Sequence, residues 1–132
     1  MDESRPDSLT VLLVDDDDDL RLTLRALLEH EGFAFLEAGG ADEAERVAES
    51  TEASIDVVLM DINLPDGWGA TVAHRLRLIR PEMATVFATG FAAGDPILAS
   101  GLKHVDFRLQ KPFTRAELVA TLRRAVDAHR AE

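Results

Sequence analysis

Residues 10–28 read TVLLVDDDDDLRLTLRALL, and this stretch decides the architecture. Its first five residues, Thr10–Val14, are a β-branched and leucine run of the length of a buried strand. Five aspartates follow at residues 15–19, and then Leu20, Leu24, Leu27 and Leu28 recur on one face of a helix. The aspartates can cap that helix. Gly32 stands where a left-handed C-terminal cap falls.

The alternation continues outward. Residues 33–36 read as a second strand broken by Gly39 and Gly40, and Ala41–Ser50 as a helix with Ala44, Val47 and Ala48 inward. Residues 57–60, within IDVVLMD, show no polar alternation, so both faces of that strand are expected to be buried. Residues 63–69 read as a loop punctuated by Pro65 and Gly67. Trp68, Val72, Leu76 and Ile79 then line a third helix, which Pro81 stops. Residues 85–88 read as a fourth strand. Residues 91–103 carry little pattern; a helix of at most about two turns opens at Asp95-Pro96 and is ended by Gly101. Phe107–Gln110 reads as a fifth strand, and the capping box Thr114-Arg115-Ala116-Glu117 opens a last helix with Leu118, Leu122, Ala125 and Val126 inward. Strands alternating with helices in this way imply an α/β fold: a doubly wound five-stranded parallel sheet, helices on both faces, right-handed connections. Residues 1–8 read as a disordered tail and residues 9–130 as one domain.

The net charge is −11, from 25 acidic and 14 basic side chains. Such a chain repels a nucleic-acid backbone and an anionic membrane, so neither is expected as a direct partner. The absence of cysteine excludes disulfides, thiolate zinc sites and cysteine nucleophiles. The segment MDESRPDS lacks the apolar run of a signal peptide, and no stretch approaches a membrane span, so a cytoplasmic location is expected.

In a parallel sheet of this kind, ligands bind beyond the carboxyl ends of the strands. Asp15 and Asp16 follow the first strand, Asp61 the third, Thr89 the fourth and Lys111 the fifth. Three carboxylates sharing a small volume raise at least one pKa unless a cation sits among them. Oxygen ligands of this number suit Mg²⁺, which keeps places for waters and phosphate oxygens. Asp61 can attack phosphorus to form an aspartyl phosphate. Transfer then depends mainly on positioning and charge neutralisation. A cation, the Lys111 ammonium and the Thr89 hydroxyl can each take one phosphoryl oxygen. A cis bond at Lys111-Pro112 would aim the lysine inward.

VLLVDDDDDLR, DVVLMDINLPDG, ATG and LQKPF follow one another in the order and approximate spacing of response-regulator receiver domains, and the resemblance covers about residues 9–130. It implies the flavodoxin-like strand order 2-1-3-4-5. It makes Asp61 the phosphoacceptor, Thr89 the switch hydroxyl and Lys111 the phosphate-binding lysine. Asp16 and Asp61 are implied to bind Mg²⁺ directly (Mn²⁺ serving as well), Asp15 mostly through water, and Asn63 through its backbone carbonyl. The implied phosphodonor is a phosphohistidine on a sensor histidine kinase or phosphotransfer protein, with a downstream target protein reading the switched surface. The face formed by the fourth helix, fifth strand and fifth helix is the family's common output surface, and a weak homodimer is expected there. Two features depart from the pattern: Arg108 occupies the usual aromatic position three before the lysine, with Phe107 one earlier, and the fourth helix is short.

Other readings are weaker. Asp17, Asp18 and Asp19 read as a solvated helix cap. An EF-hand fails, because counting from Asp15 the sixth position is Leu20 and the twelfth is Ala26. An aspartyl-nucleophile phosphatase needs an acid two residues after the nucleophile, where Asn63 stands. A flavin module needs a first loop that cradles phosphate, which five aspartates repel. A receiver-like scaffold that no longer takes phosphate is disfavoured by the intact set of five groups. His30, His74, His104 and His129 show no ligand spacing. The expected role is therefore a signalling phosphoacceptor rather than an enzyme. The starting Met and short tails favour a stand-alone protein over a domain excised from a hybrid kinase or larger regulator.

Overall fold

A computed structural model describes residues 8–90 and 107–131. The elements are β1 (Thr10–Val14), α1 (Asp18–His30), β2 (Ala34–Ala38), α2 (Ala41–Ser50), β3 (Val57–Asp61), β4 (Asn63–Leu64), β5 (Gly67–Trp68), α3 (Gly69–Ile79), β6 (Ala84–Thr89), β7 (Phe107–Gln110) and α4 (Arg115–Arg130). Five strands form one parallel sheet in the order β2-β1-β3-β6-β7. Counting its strands along the chain, this is the expected order 2-1-3-4-5. The expected tail, apart from Ser8, and the expected helix opening at Asp95 lie outside the described residues.

The continuous apolar runs are explained by a sheet covered on both faces. Leu12, Val14, Val58, Met60 and Phe87 point to one side and pack with α2 and α3. Val11, Leu13, Val57, Leu59, Val86 and Ala88 point to the other and pack with α1 and α4. Alternation within each strand thus fills two cores rather than one core and a solvent face. Asp17 caps α1 by accepting from the Leu20 N–H, and Gly32 takes the left-handed φ of 80° just beyond the helix end. The capping box at Thr114 and Glu117 is formed. Among the described residues no helix is long and apolar enough to cross a membrane.

Several boundaries differ from the sequence reading, and β3 takes in Asp61, which was expected to follow it. β2 begins at Ala34 and runs on to Ala38, and β6 extends to Ala84–Thr89. The expected loop at residues 63–69 contains an antiparallel two-stranded hairpin, β4 with β5, pairing Asn63 with Trp68. Trp68 therefore does not lie in the third helix; it precedes that helix in extended conformation and packs against the α2–α3 core.

Candidate metal and phosphoryl site at the carboxyl edge of the sheet

The parallel register brings the four strand ends to one edge. Val14 pairs with Met60, Asp61 with Ala88 and Thr89 with Gln110. The next residue out along β1 is Asp15, and along β7 it is Lys111. Asp15, Asp16 and Asp61 each offer a carboxylate oxygen, and these oxygens lie within 4.8 Å of one another. Lys111 Nζ stands 3.1 Å from Asp15 Oδ2 and 3.5 Å from Asp61 Oδ2. Thus residues up to 96 positions apart in the chain share one small volume.

Each group is held differently. Asp15 is buried; its Oδ1 accepts from the Asp17 N–H at 2.9 Å, and its own N–H donates to the Ala38 carbonyl. Asp16 is exposed. Asp61 ends β3, and its Oδ1 accepts from the Asn63 N–H at 3.0 Å. The Asn63 peptide therefore lies against the same carboxylate. Thr89 is buried at the end of β6, one residue beyond the register partner of Asp61, and its carbonyl accepts from the Lys111 N–H at 2.7 Å. The Lys111-Pro112 bond is cis. Arg108 is exposed on β7, whereas Phe107 packs against the α1–α4 core.

Burial pushes the Asp61 carboxyl up from its ordinary pKa, and the Asp15 charge adds to this; the Asn63 N–H and Lys111 oppose them without prevailing. Burial alone would lower the Lys111 pKa, but its bond and charge attraction to Asp15, then to Asp61, raise it. The cluster thus offers carboxylate oxygens that could hold a cation beside an ammonium that could meet an anion. The donor set is all oxygen, which fits a hard divalent cation.

Two residues at this edge were not visible in the sequence. The Asp66 carboxylate, in the turn between β4 and β5, accepts from the N–H groups of Ala41 and Asp42 at 2.7 and 3.1 Å, capping α2 from a different element. Those bonds hold its carboxyl below the usual carboxylate range. Arg21, on α1, donates to the Asp15 carbonyl at 2.5 Å. Neither carries a local motif.

A doubly wound parallel sheet with three aspartates and a lysine on its carboxyl edge defines a flavodoxin-like domain with a charged cluster at the edge where such folds bind ligands. Residues 11–123 match the family model described as the response regulator receiver domain. The chain is 30% identical over 121 residues to the sensor kinase CckA of Brucella abortus, which covers 91% of this chain and 13% of that protein. It is 33% identical over 115 residues to the probable transcriptional regulatory protein TcrX of Mycobacterium tuberculosis, covering 87% of this chain and 48% of the relative. Among solved structures, a response regulator receiver protein from Sinorhizobium medicae WSM419 superimposes with a TM-score of 0.80 at 32% identity, covering 92% of this chain and 97% of that one. The receiver domain of the hybrid histidine kinase CckA gives a TM-score of 0.73 at 25% identity, covering 89% and 98%.

The chain belongs to the response regulator receiver domain family. Members of that family are signalling phosphoacceptors of two-component systems rather than classical enzymes; they bind Mg²⁺ in an acidic pocket and interact with histidine kinases or phosphotransfer proteins. This chain spans about half the length of the regulators it matches and 13% of the kinase.

Proposed function

We propose that Asp61 accepts a phosphoryl group from a phosphohistidine on a sensor histidine kinase or phosphotransfer protein, and that the charge change alters a surface read by a downstream protein. The observation that carries this reading is the convergence of Asp15, Asp16, Asp61 and Lys111 at one sheet edge. An Asp61 carboxylate oxygen attacks phosphorus, the bond from phosphorus to the donor nitrogen breaks, and the imidazole leaves with the electron pair. With acetyl phosphate the acetate oxygen leaves instead. Asp15, Asp16, Asp61 and the Asn63 carbonyl would hold Mg²⁺, or Mn²⁺ in its place, which supplies charge neutralisation at a phosphoryl oxygen. Lys111 Nζ meets a second oxygen and the Thr89 hydroxyl a third. Residues 9–130 form the receiver unit, which acts in the cytoplasm without direct contact to nucleic acid or membrane and forms at most a weak homodimer.

The test is mass spectrometry after incubation with acetyl phosphate and Mg²⁺, comparing wild type with Asp61→Asn. One phosphate on the wild type and none on the variant is expected. A gain in both would move the acceptor elsewhere, and no gain in the wild type would refute phosphorylation.

A further inference from the structure

We infer that Arg21 is a positioning residue for the divalent-cation site, fixing the peptide that aims the Asp16 carboxylate at Asp15 and Asp61. This rests on reading those three aspartates as the cation ligands.

Asp15 needs no such help. Its side chain is buried and bonded on both oxygens, to the Asp17 N–H and to Lys111. Asp16 is different. It is exposed, and among the described residues nothing hydrogen-bonds its carboxylate, yet one of its oxygens lies within 4.8 Å of those of its two neighbours. Its direction is therefore set by the peptide joining Asp15 to Asp16. The peptide before it, between Val14 and Asp15, is held to β2 by the Asp15 N–H, bonded to the Ala38 carbonyl at 3.1 Å. The Asp15–Asp16 peptide itself is held at the Asp15 carbonyl, which accepts from Arg21 Nη1 at 2.5 Å.

Arg21 is itself immobilised. Its Nη2 donates to Asp18 Oδ1 at 2.6 Å and its Nε to Glu37 Oε1 at 3.3 Å. Arg25 grips the other Glu37 oxygen at 2.7 Å. One planar fork thus joins the β1–α1 loop, the first turn of α1 and strand β2. Only a guanidinium presents donors in so rigid a fan; a lysine ammonium can reach one such acceptor but not the set.

Electrostatics makes the role testable by sign. A guanidinium beside a divalent-cation site opposes the cation by Coulomb repulsion. If Arg21 acted only through its charge, its removal would tighten Mg²⁺ binding. If it acts by positioning, removal loosens binding, by about tenfold or more as for other supports of metal ligands.

Mg²⁺ affinity is measured by calorimetry on the full chain for wild type, Arg21→Ala, Arg21→Lys and Arg25→Ala, with folding checked by circular dichroism. Arg21→Ala is expected to weaken Mg²⁺ by about tenfold or more, Arg21→Lys to fall between it and wild type, and Arg25→Ala, which leaves Arg21 bonded to Asp15, Asp18 and Glu37, to lose clearly less than Arg21→Ala. In acetyl phosphate labelling, the half-saturating Mg²⁺ concentration rises in Arg21→Ala while the rate at saturating Mg²⁺ changes little. Affinity for both Arg21 variants equal to or tighter than wild type overturns the inference, and so does an Arg25→Ala loss as large as that of Arg21→Ala. Should Arg21→Ala not fold, Arg21→Lys decides alone by the same criterion. A wild type that binds no Mg²⁺ would instead refute the underlying reading of the site.

Discussion

Gly69→Ala is the substitution for which local and tertiary physics disagree most sharply. Gly69 is the first residue of α3, and its φ is not positive, so an alanine backbone is permitted there. On helix propensity alone, alanine should stabilise by up to about 1 kcal/mol. The surroundings forbid it. A Cβ at residue 69 would sit 2.7 Å from Ile62 Cα, 2.9 Å from the Ile62 carbonyl oxygen and 3.0 Å from the Asp61 carbonyl oxygen. All three are backbone atoms, so no rotamer change relieves the overlap. The Gly69 N–H also donates to the Ile62 carbonyl at 2.7 Å, which fixes the close approach. Overpacking costs about 1–3 kcal/mol, and a clash against backbone alone belongs at the upper end. Set against the propensity gain, about 2 kcal/mol of destabilisation remains. For a chain of this length that lowers Tm by roughly 7 °C. Because the atoms struck belong to the two peptides that follow Asp61, Mg²⁺ affinity should fall as well. Thermal melting in chelator and in Mg²⁺ reads both effects. Gly90→Ala, where a Cβ meets nothing within 4 Å among the described residues, is the control and should melt within about 1 °C of wild type. A Gly69→Ala melt equal to wild type would refute the claim that this close approach limits α3.

The remaining predictions concern charge. Lys111→Met removes an ammonium 3.1 and 3.5 Å from two carboxylates, contacts worth about 5 kcal/mol each before desolvation. Acetyl phosphate labelling should fall by about 100-fold or more while Mg²⁺ binding is retained or tightened, and labelling within threefold of wild type would remove Lys111 from the reaction. Asp66→Ala leaves two α2 N–H groups without their acceptor and should lower Tm at pH 7. Since the Asp66 pKa is depressed in the fold, its contribution is present above the unfolded value of roughly 3.9 and is lost as pH falls through the folded one. The gap between the two proteins' melts should narrow progressively as pH falls below about 4, and a gap independent of pH would show that the carboxylate charge is not what caps α2.

The core of the fold was legible because strands buried on both faces have no choice but to be apolar throughout. TVLLV and VVLM announce β1 and β3 for that reason. Edge strand β2 is only partly buried, so Glu37 looked like the strand's end although the backbone continues through it. Trp68 lies four residues before Val72, which matches a helical stripe, yet its φ and ψ of −78° and 125° are extended. Pairing with Asn63 across a two-residue hairpin overrides the spacing, and strands that short leave no period to read. The carboxylate cluster was legible because each member ends or follows a recognisable strand, so topology alone brought them together.

Arg21 and Asp66 were hidden for a different physical reason: each acts on a backbone group of another element, and backbone groups carry no sequence signature. A trace of the second survives as a broken local rule. The N-cap position of α2 is Gly40, which offers no side-chain acceptor, and the preference for Ser, Thr, Asp or Asn there goes unmet. The acceptor comes from Asp66, whose Oδ1 would lie 2.9 Å from a Cβ on residue 40. The atom that satisfies the helix therefore sits where the side chain of a local cap would begin, and a Cβ there would require the Asp66 carboxylate to shift. An uncapped helix start beside a glycine thus points to a carboxylate arriving from elsewhere. Here it arrives from the turn that follows Asp61, so the start of α2 is bonded to the loop beside the proposed phosphoacceptor.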